Sequence, residues 1–236
     1  MANPLFRTSS VGDAQSASVD QGLRAHMQRI FNYMGGGLAL TGVVAYLVAN
    51  TPLAALVFGT PLQWLFILAP FAIIFYMSFK MENMPLGRMQ TLYWTFCGLM
   101  GVSMATIFMV YTGASVARAF FITAATFGAM SLWGYTTKKD LTSFGAFLMM
   151  GVLGLFIASL VNIFMQSNMM QWVVSVAGVF IFTGLTAYDV QTLKHMYQMG
   201  WGKEANNKMA VMGAIRLYIN FINAFQFLLS LTGERR

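Results

Sequence analysis

The sequence predicts an all-α integral membrane protein, a bundle of seven spanning helices, on three observations. The first is composition. Of 236 residues, 58% are hydrophobic and 9% charged, against about 25% charged in a soluble domain. There is too little polar surface to cover a water-soluble globule. The second is length. Seven stretches reach the roughly 20 apolar residues that a span needs: 30–50, 62–80, 91–111, 117–136, 142–164, 171–192 and 210–231. The third is charge placement. Basic residues fall in ones and twos in the short breaks between those stretches, as orientation charges do. The net charge of +7 is therefore read as membrane orientation and not as nucleic-acid binding. Cys97 is the only cysteine, so an intrachain disulfide and a Cys-based metal site are excluded.

Residues 1–18 are rich in Ser, Ala and Gln. They are predicted to form a disordered cytoplasmic tail, without the apolar core of a cleavable signal. Residues 19–236 read as one seven-helix membrane domain. Leu23, Met27, Ile30, Phe31 and Met34 recur at helical spacing, an interfacial lead-in that runs into the first span. His26 is expected at the surface. Asn50–Pro52 and Thr60–Pro61 bound the first link, and Lys80–Arg88 forms the second. Lys138-Lys-Asp140 and Gln166–Asn168 mark later ones, and the longest runs from Lys194 to Lys208. Asp140 is placed to cap the helix that follows. With the N-terminus inside, ten Lys and Arg residues from Arg7 to Lys208 share the cytoplasmic side, while Arg118, Arg235 and Arg236 fall opposite. That bias predicts an N-in, multi-pass membrane protein, with the lipid bilayer as its first partner. Glycines within the spans, from Gly35–Gly37 to Gly184, are read as close helix contacts.

One acidic residue, Asp189, lies inside a span. A charge at membrane depth costs several kcal/mol unless it is paired or hydrated, which makes it a functional candidate. Tyr188 is beside it. Thr186 and Thr183 extend a polar line one and two turns away. Those hydroxyls either hydrate a path or bond back to their own helix. In the last span, Arg216, Asn220 and Asn223 lie at spacings of four and three, on one stripe. Such groups avoid lipid, and the bundle interior holds the carboxylate they would suit. Arg216 either pairs with Asp189 or snorkels to the headgroups. Lys80 is the second candidate cation.

Three motifs carry a resemblance. They are Thr186-Ala-Tyr-Asp-Val-Gln-Thr-Leu-Lys194, Leu217-Tyr-Ile-Asn-Phe-Ile-Asn223, and Gly134-Tyr-Thr-Thr-Lys-Lys-Asp-Leu141 followed by Phe144-Gly145. In this order and spacing the chain resembles the transmembrane Bax inhibitor motif family, as a bacterial member, which implies a place in the bacterial plasma (inner) membrane. The resemblance implies a bundle in which the other helices surround the last one. It implies a pH-sensitive calcium leak, gated by two facing aspartates that share a proton as a coupled pair. Asp189 matches the first aspartate. Asn220 stands at the second, so the pair becomes one carboxylate and one amide, and weakened pH gating is expected. Lys80 lies near the position of the family's latch cation. No bound cofactor is expected beyond transient Ca2+, the transported ion. The alternative is a non-transporting modulator of the stress response or of a membrane-anchored AAA protease. An intramembrane hydrolase is not expected: His26 and His195, the only histidines, are read as outside the spans, and Ser103, Ser131 and Ser159 have no histidine base there.

Overall fold

The computed structural model describes residues 5–197 and 202–236, with side chains from Asp20 onward. Its eight helices are α1 (Leu5–Ala49), α2 (Leu53–Phe58), α3 (Leu62–Lys80), α4 (Leu86–Val110), α5 (Gly113–Thr136), α6 (Thr142–Met165), α7 (Asn168–Met196) and α8 (Gly202–Thr232). Seven are long and apolar enough to cross a membrane, with α1 counted from Asp20. They are the predicted spans, extended at most ends. α2 is a short helix inside the first link, between Pro52 and Pro61.

Two expectations, for the N-terminal tail and for the last link, are corrected. The predicted disordered tail is helical backbone from Leu5 to residue 18, continuous with the first span. No proline interrupts residues 5–49, so a helix nucleated in the apolar lead-in extends backward at little cost. The long link from Lys194 to Lys208 is mostly helix too. α7 runs to Met196 and α8 begins at Gly202, leaving Tyr197 and residues 198–201, which lie outside the described residues. A Lys208–Glu204 ion pair of 3.3 Å supports the first turns of α8, a favourable spacing on a helix.

α8 occupies the centre. It packs against α1, α4, α5 and α7, and over half of its most apolar stretch is buried. α6 is the most hydrophobic helix and among the least buried; Phe147, Phe156 and Phe164 on it point outward. Lipid accepts such side chains, so the more polar helix takes the interior. The core around α8 joins Met27, Ile30 and Met34 of α1 to Tyr93 and Phe96 of α4 and Tyr218 of α8. Hydroxyls tie it: Thr41 Oγ1 donates to Cys97 O at 2.9 Å and meets Tyr218 Oη at 2.7 Å.

Pro70 interrupts α3 and cannot donate to the carbonyl four residues back. That carbonyl, Phe66 O, instead accepts from Ser103 Oγ of α4 at 2.6 Å. The Ser103 hydroxyl thus fills a backbone vacancy.

α8 is one unbroken helix, so the last segment crosses and does not turn back. Its end is pinned to the α4–α5 link: Glu234 O accepts from Thr112 N at 3.1 Å, and Arg236 N donates to Val110 O at 2.9 Å. The C-terminus therefore shares a face with Thr112, opposite the face that carries the α5–α6 link.

Candidate functional site

Asp189 stands in the last third of α7, where the antiparallel α8 passes beside it. It is half-buried, and Asn220 opposite is buried. Asn220 Nδ2 donates to Asp189 Oδ2 at 2.7 Å. A charged acceptor makes this the stronger class of hydrogen bond. The sequence brought these two residues together as candidates, and the fold joins them directly.

The other candidates are placed differently. Arg216 is exposed, and among the described residues it makes no ion pair with Asp189; its charge reaches the carboxylate only through space. It lies one turn before Asn220, near the middle of α8, and its long stem carries the guanidinium to the surface. Lys80 is exposed at the end of α3 and likewise has no ion pair among the described residues. Asn223 does not join the site. Its Nδ2 donates to Ile219 O at 2.8 Å on its own helix, and it lines a separate 500 Å³ cavity with Pro70, Ser103 and Tyr111. The shared stripe fails because three residues turn a side chain by about 60° away from exact alignment, enough to face another neighbour.

Thr186 is buried and its Oγ1 donates to Phe182 O at 2.9 Å. Of the two readings of the hydroxyl line, the back-bonded one describes its donor. Its oxygen still borders a 50 Å³ cavity shared with Thr123, Thr126 and Thr183. Tyr188 packs on α6: a Cβ at Gly145 would come within 2.4 Å of its ring. Its role is helix packing.

The α5–α6 link is held by residues with no assigned role in the sequence. Gln191, there only a member of the Thr186–Lys194 motif, is buried. Its Oε1 accepts from Leu141 N at 2.9 Å, and its Nε2 donates to Lys139 O at 2.8 Å. Lys194 Nζ donates to Tyr135 O at 2.8 Å and lies 5.0 Å from the centre of the Tyr135 ring. Gly134 allows α5 to touch α7, since a Cβ there would sit 2.3 Å from Ala187 O. The signal was present in the glycines that flank the link and in the polar turn that faces it. Asp140 corrects the expected cap: it stands one residue before the N-cap of α6, Leu141, which has no side-chain cap, and it forms a local turn instead. Its Oδ1 accepts from Thr142 Oγ1 at 2.6 Å and from Thr142 N at 2.9 Å, which holds its carboxyl below the usual range.

His26 corrects a further expectation. It is buried inside the first spanning helix, with its ring 5.3 Å from that of Tyr197. Tyr197, just past the end of α7, lies against α1 beside it. Groups of three or more residues suited to hold a metal are absent among the described residues.

The family described as Inhibitor of apoptosis-promoting Bax1 matches residues 23–236. An uncharacterized protein of Caulobacter vibrioides is 44% identical over 98% of this chain and 97% of its own length. One from Rickettsia prowazekii is 41% identical over 94% and 95%. The Escherichia coli inner membrane protein YbhL is 40% identical over 91% and 94%. With a match across nearly all of its length, and with seven helices able to span a membrane, the chain belongs to the Bax inhibitor family as a multi-pass membrane protein.

Proposed function

We propose that this protein is a slow calcium leak of a bacterial inner membrane, closed by the Asp189–Asn220 contact and less steep in pH than relatives with aspartates at both positions. The observation that carries the reading is the 2.7 Å hydrogen bond between α7 and α8. It ties the central helix to its neighbour at a carboxylate set inside the apolar run of α7. Calcium prefers oxygen ligands and usually several carboxylates. A single carboxylate therefore supports weak selectivity. Asn220 cannot titrate, so closure does not depend on a proton shared between two acids. The N-terminus faces the cytoplasm in this reading, on the distribution of Lys and Arg.

Calcium flux into proteoliposomes, measured on either side of neutral pH, tests it. Wild type is expected to leak with a shallow pH dependence. Asn220→Asp is expected to become steep in pH, because two facing carboxylates titrate as a coupled pair. Asp189→Asn is expected to lose pH dependence altogether. A wild type as steep as Asn220→Asp contradicts the proposal, as does flux no greater than that of empty liposomes.

The amide at position 220 also favours a second reading, a non-transporting modulator of a membrane-anchored protease. Crosslinking in native membranes separates the two: a stable protease partner with no flux from the purified protein selects the modulator.

A further inference from the structure

α1 and α5 both lean on α8 but leave a groove of about 730 Å³ between them, floored by Phe221. That is within the usual range of small-molecule sites. Its walls are apolar, with Met27, Phe31 and Met34 from α1 and Phe120 and Phe127 from α5. We propose that it takes one acyl chain of an anionic phospholipid, whose phosphate lies at Arg24.

The dimensions fit a lipid in its own leaflet. The groove runs along α1 from Arg24 to Leu38, about 21 Å at 1.5 Å per residue. One leaflet supplies about 15 Å of hydrocarbon, half the thickness of a bilayer core, and the remainder of the groove reaches the headgroups. Arg24 and Tyr135 mark the headgroup end. Arg24 is exposed there, and its guanidinium suits a phosphate. The Lys194 ammonium stands over the Tyr135 ring, a second cation near that end though outside the groove lining. Among the described residues no acidic side chain lines the groove.

A buried polar group points to the same ligand. Ser131, buried in the wall, has a hydroxyl with no hydrogen-bond partner. On the same helix Thr123, Thr126 and Thr136 all donate to the carbonyl four residues back. Ser131 is one turn deeper than Tyr135, about 6 Å below it. An ester carbonyl lies at that depth when the phosphate is at the mouth, and it would accept from Ser131 Oγ. Gly35 and Gly128 also line the groove, and a Cβ on either would meet nothing within 4 Å.

Those two glycines supply the test. Full-length protein in nanodiscs is irradiated with phosphatidylglycerol that carries a diazirine in one acyl chain, and labelled peptides are mapped by mass spectrometry. Wild type is expected to label at Met27, Met34 or Phe127. Gly128→Leu fills the groove and is expected to reduce that labelling to the level without light. Gly154→Leu, on α6 with equally open space around it, is expected to change nothing. Gly35→Leu blocks from the opposite wall and decides the matter should Gly128→Leu fail to fold. Arg24→Gln is expected to lower the preference for phosphatidylglycerol over phosphatidylcholine about two- to fivefold, the range for an exposed ion pair. Unchanged labelling in both leucine variants overturns the proposal. So does equal labelling by phosphatidylcholine in wild type, displacement by free fatty acid alone, or a crosslink to a second copy of the chain in place of lipid.

Discussion

Replacing Asn220 by Leu removes the amide that meets Asp189 while nearly preserving volume. Hydrogen bonds to charged groups contribute about 1.5–3 kcal/mol. If the contact exists only in the closed state, its loss moves the open-to-closed ratio by that amount, roughly 10–150-fold at 1.4 kcal/mol per tenfold. A leak that is mostly closed should then rise by the same factor. Calcium entry into dye-loaded proteoliposomes reads this directly, at matched protein density. Asn223→Leu is the control: it lies one turn along α8, and its amide donates only to Ile219 O. Its flux should stay within about twofold of wild type, as for a change away from any inter-helix contact. Thermal unfolding of both variants shows that each is folded. The reasoning fails if Asn220→Leu leaks like wild type, or if the two variants raise flux equally.

Three further outcomes follow from the geometry. Gly134→Ala should destabilise by about 1–3 kcal/mol or more, because its Cβ would press on the Ala187 backbone, whereas Gly128→Ala on the same helix should gain up to about 1 kcal/mol from helix propensity; unfolding in detergent compares them. Gln191→Leu strands the buried Leu141 N–H, at about 1–3 kcal/mol, releases the Lys139 carbonyl to water, and should speed tryptic cleavage at the exposed Lys138 and Lys139. Arg216→Gln should alter the leak by less than about fivefold, as an exposed charge does, and the exchange Asp189→Arg with Arg216→Asp should not restore what Asp189→Arg loses; recovery of wild-type flux in the double variant would show a direct pair.

The spans were legible because each must carry its own run of apolar residues, whatever surrounds it. Lipid demands that every backbone group be satisfied within the helix, so length and hydropathy suffice to find it. Asp189 was legible for the related reason that a charge stands out in such a run. Neighbours were harder to read. Asn220 and Asn223 look alike along the chain, and only the packing of α7 on α8 gives one of them the carboxylate and returns the other to its own helix. Gln191 resembled a companion of Asp189 until the α5–α6 link was seen folded beneath it.

The sequence by itself determined a seven-span membrane protein and the acid at membrane depth, since these rest on composition and local spacing; its three motifs carried the family resemblance and, through it, the match of Asp189 with Asn220. Only the tertiary structure decided that Arg216 faces outward, that His26 is covered, that Ser103 completes the α3 backbone, and that a groove lies open between α1 and α5. The physical reason is that hydropathy acts residue by residue. A contact depends instead on how two helices are rotated about their axes, and that is set by the shapes of side chains far apart in the chain.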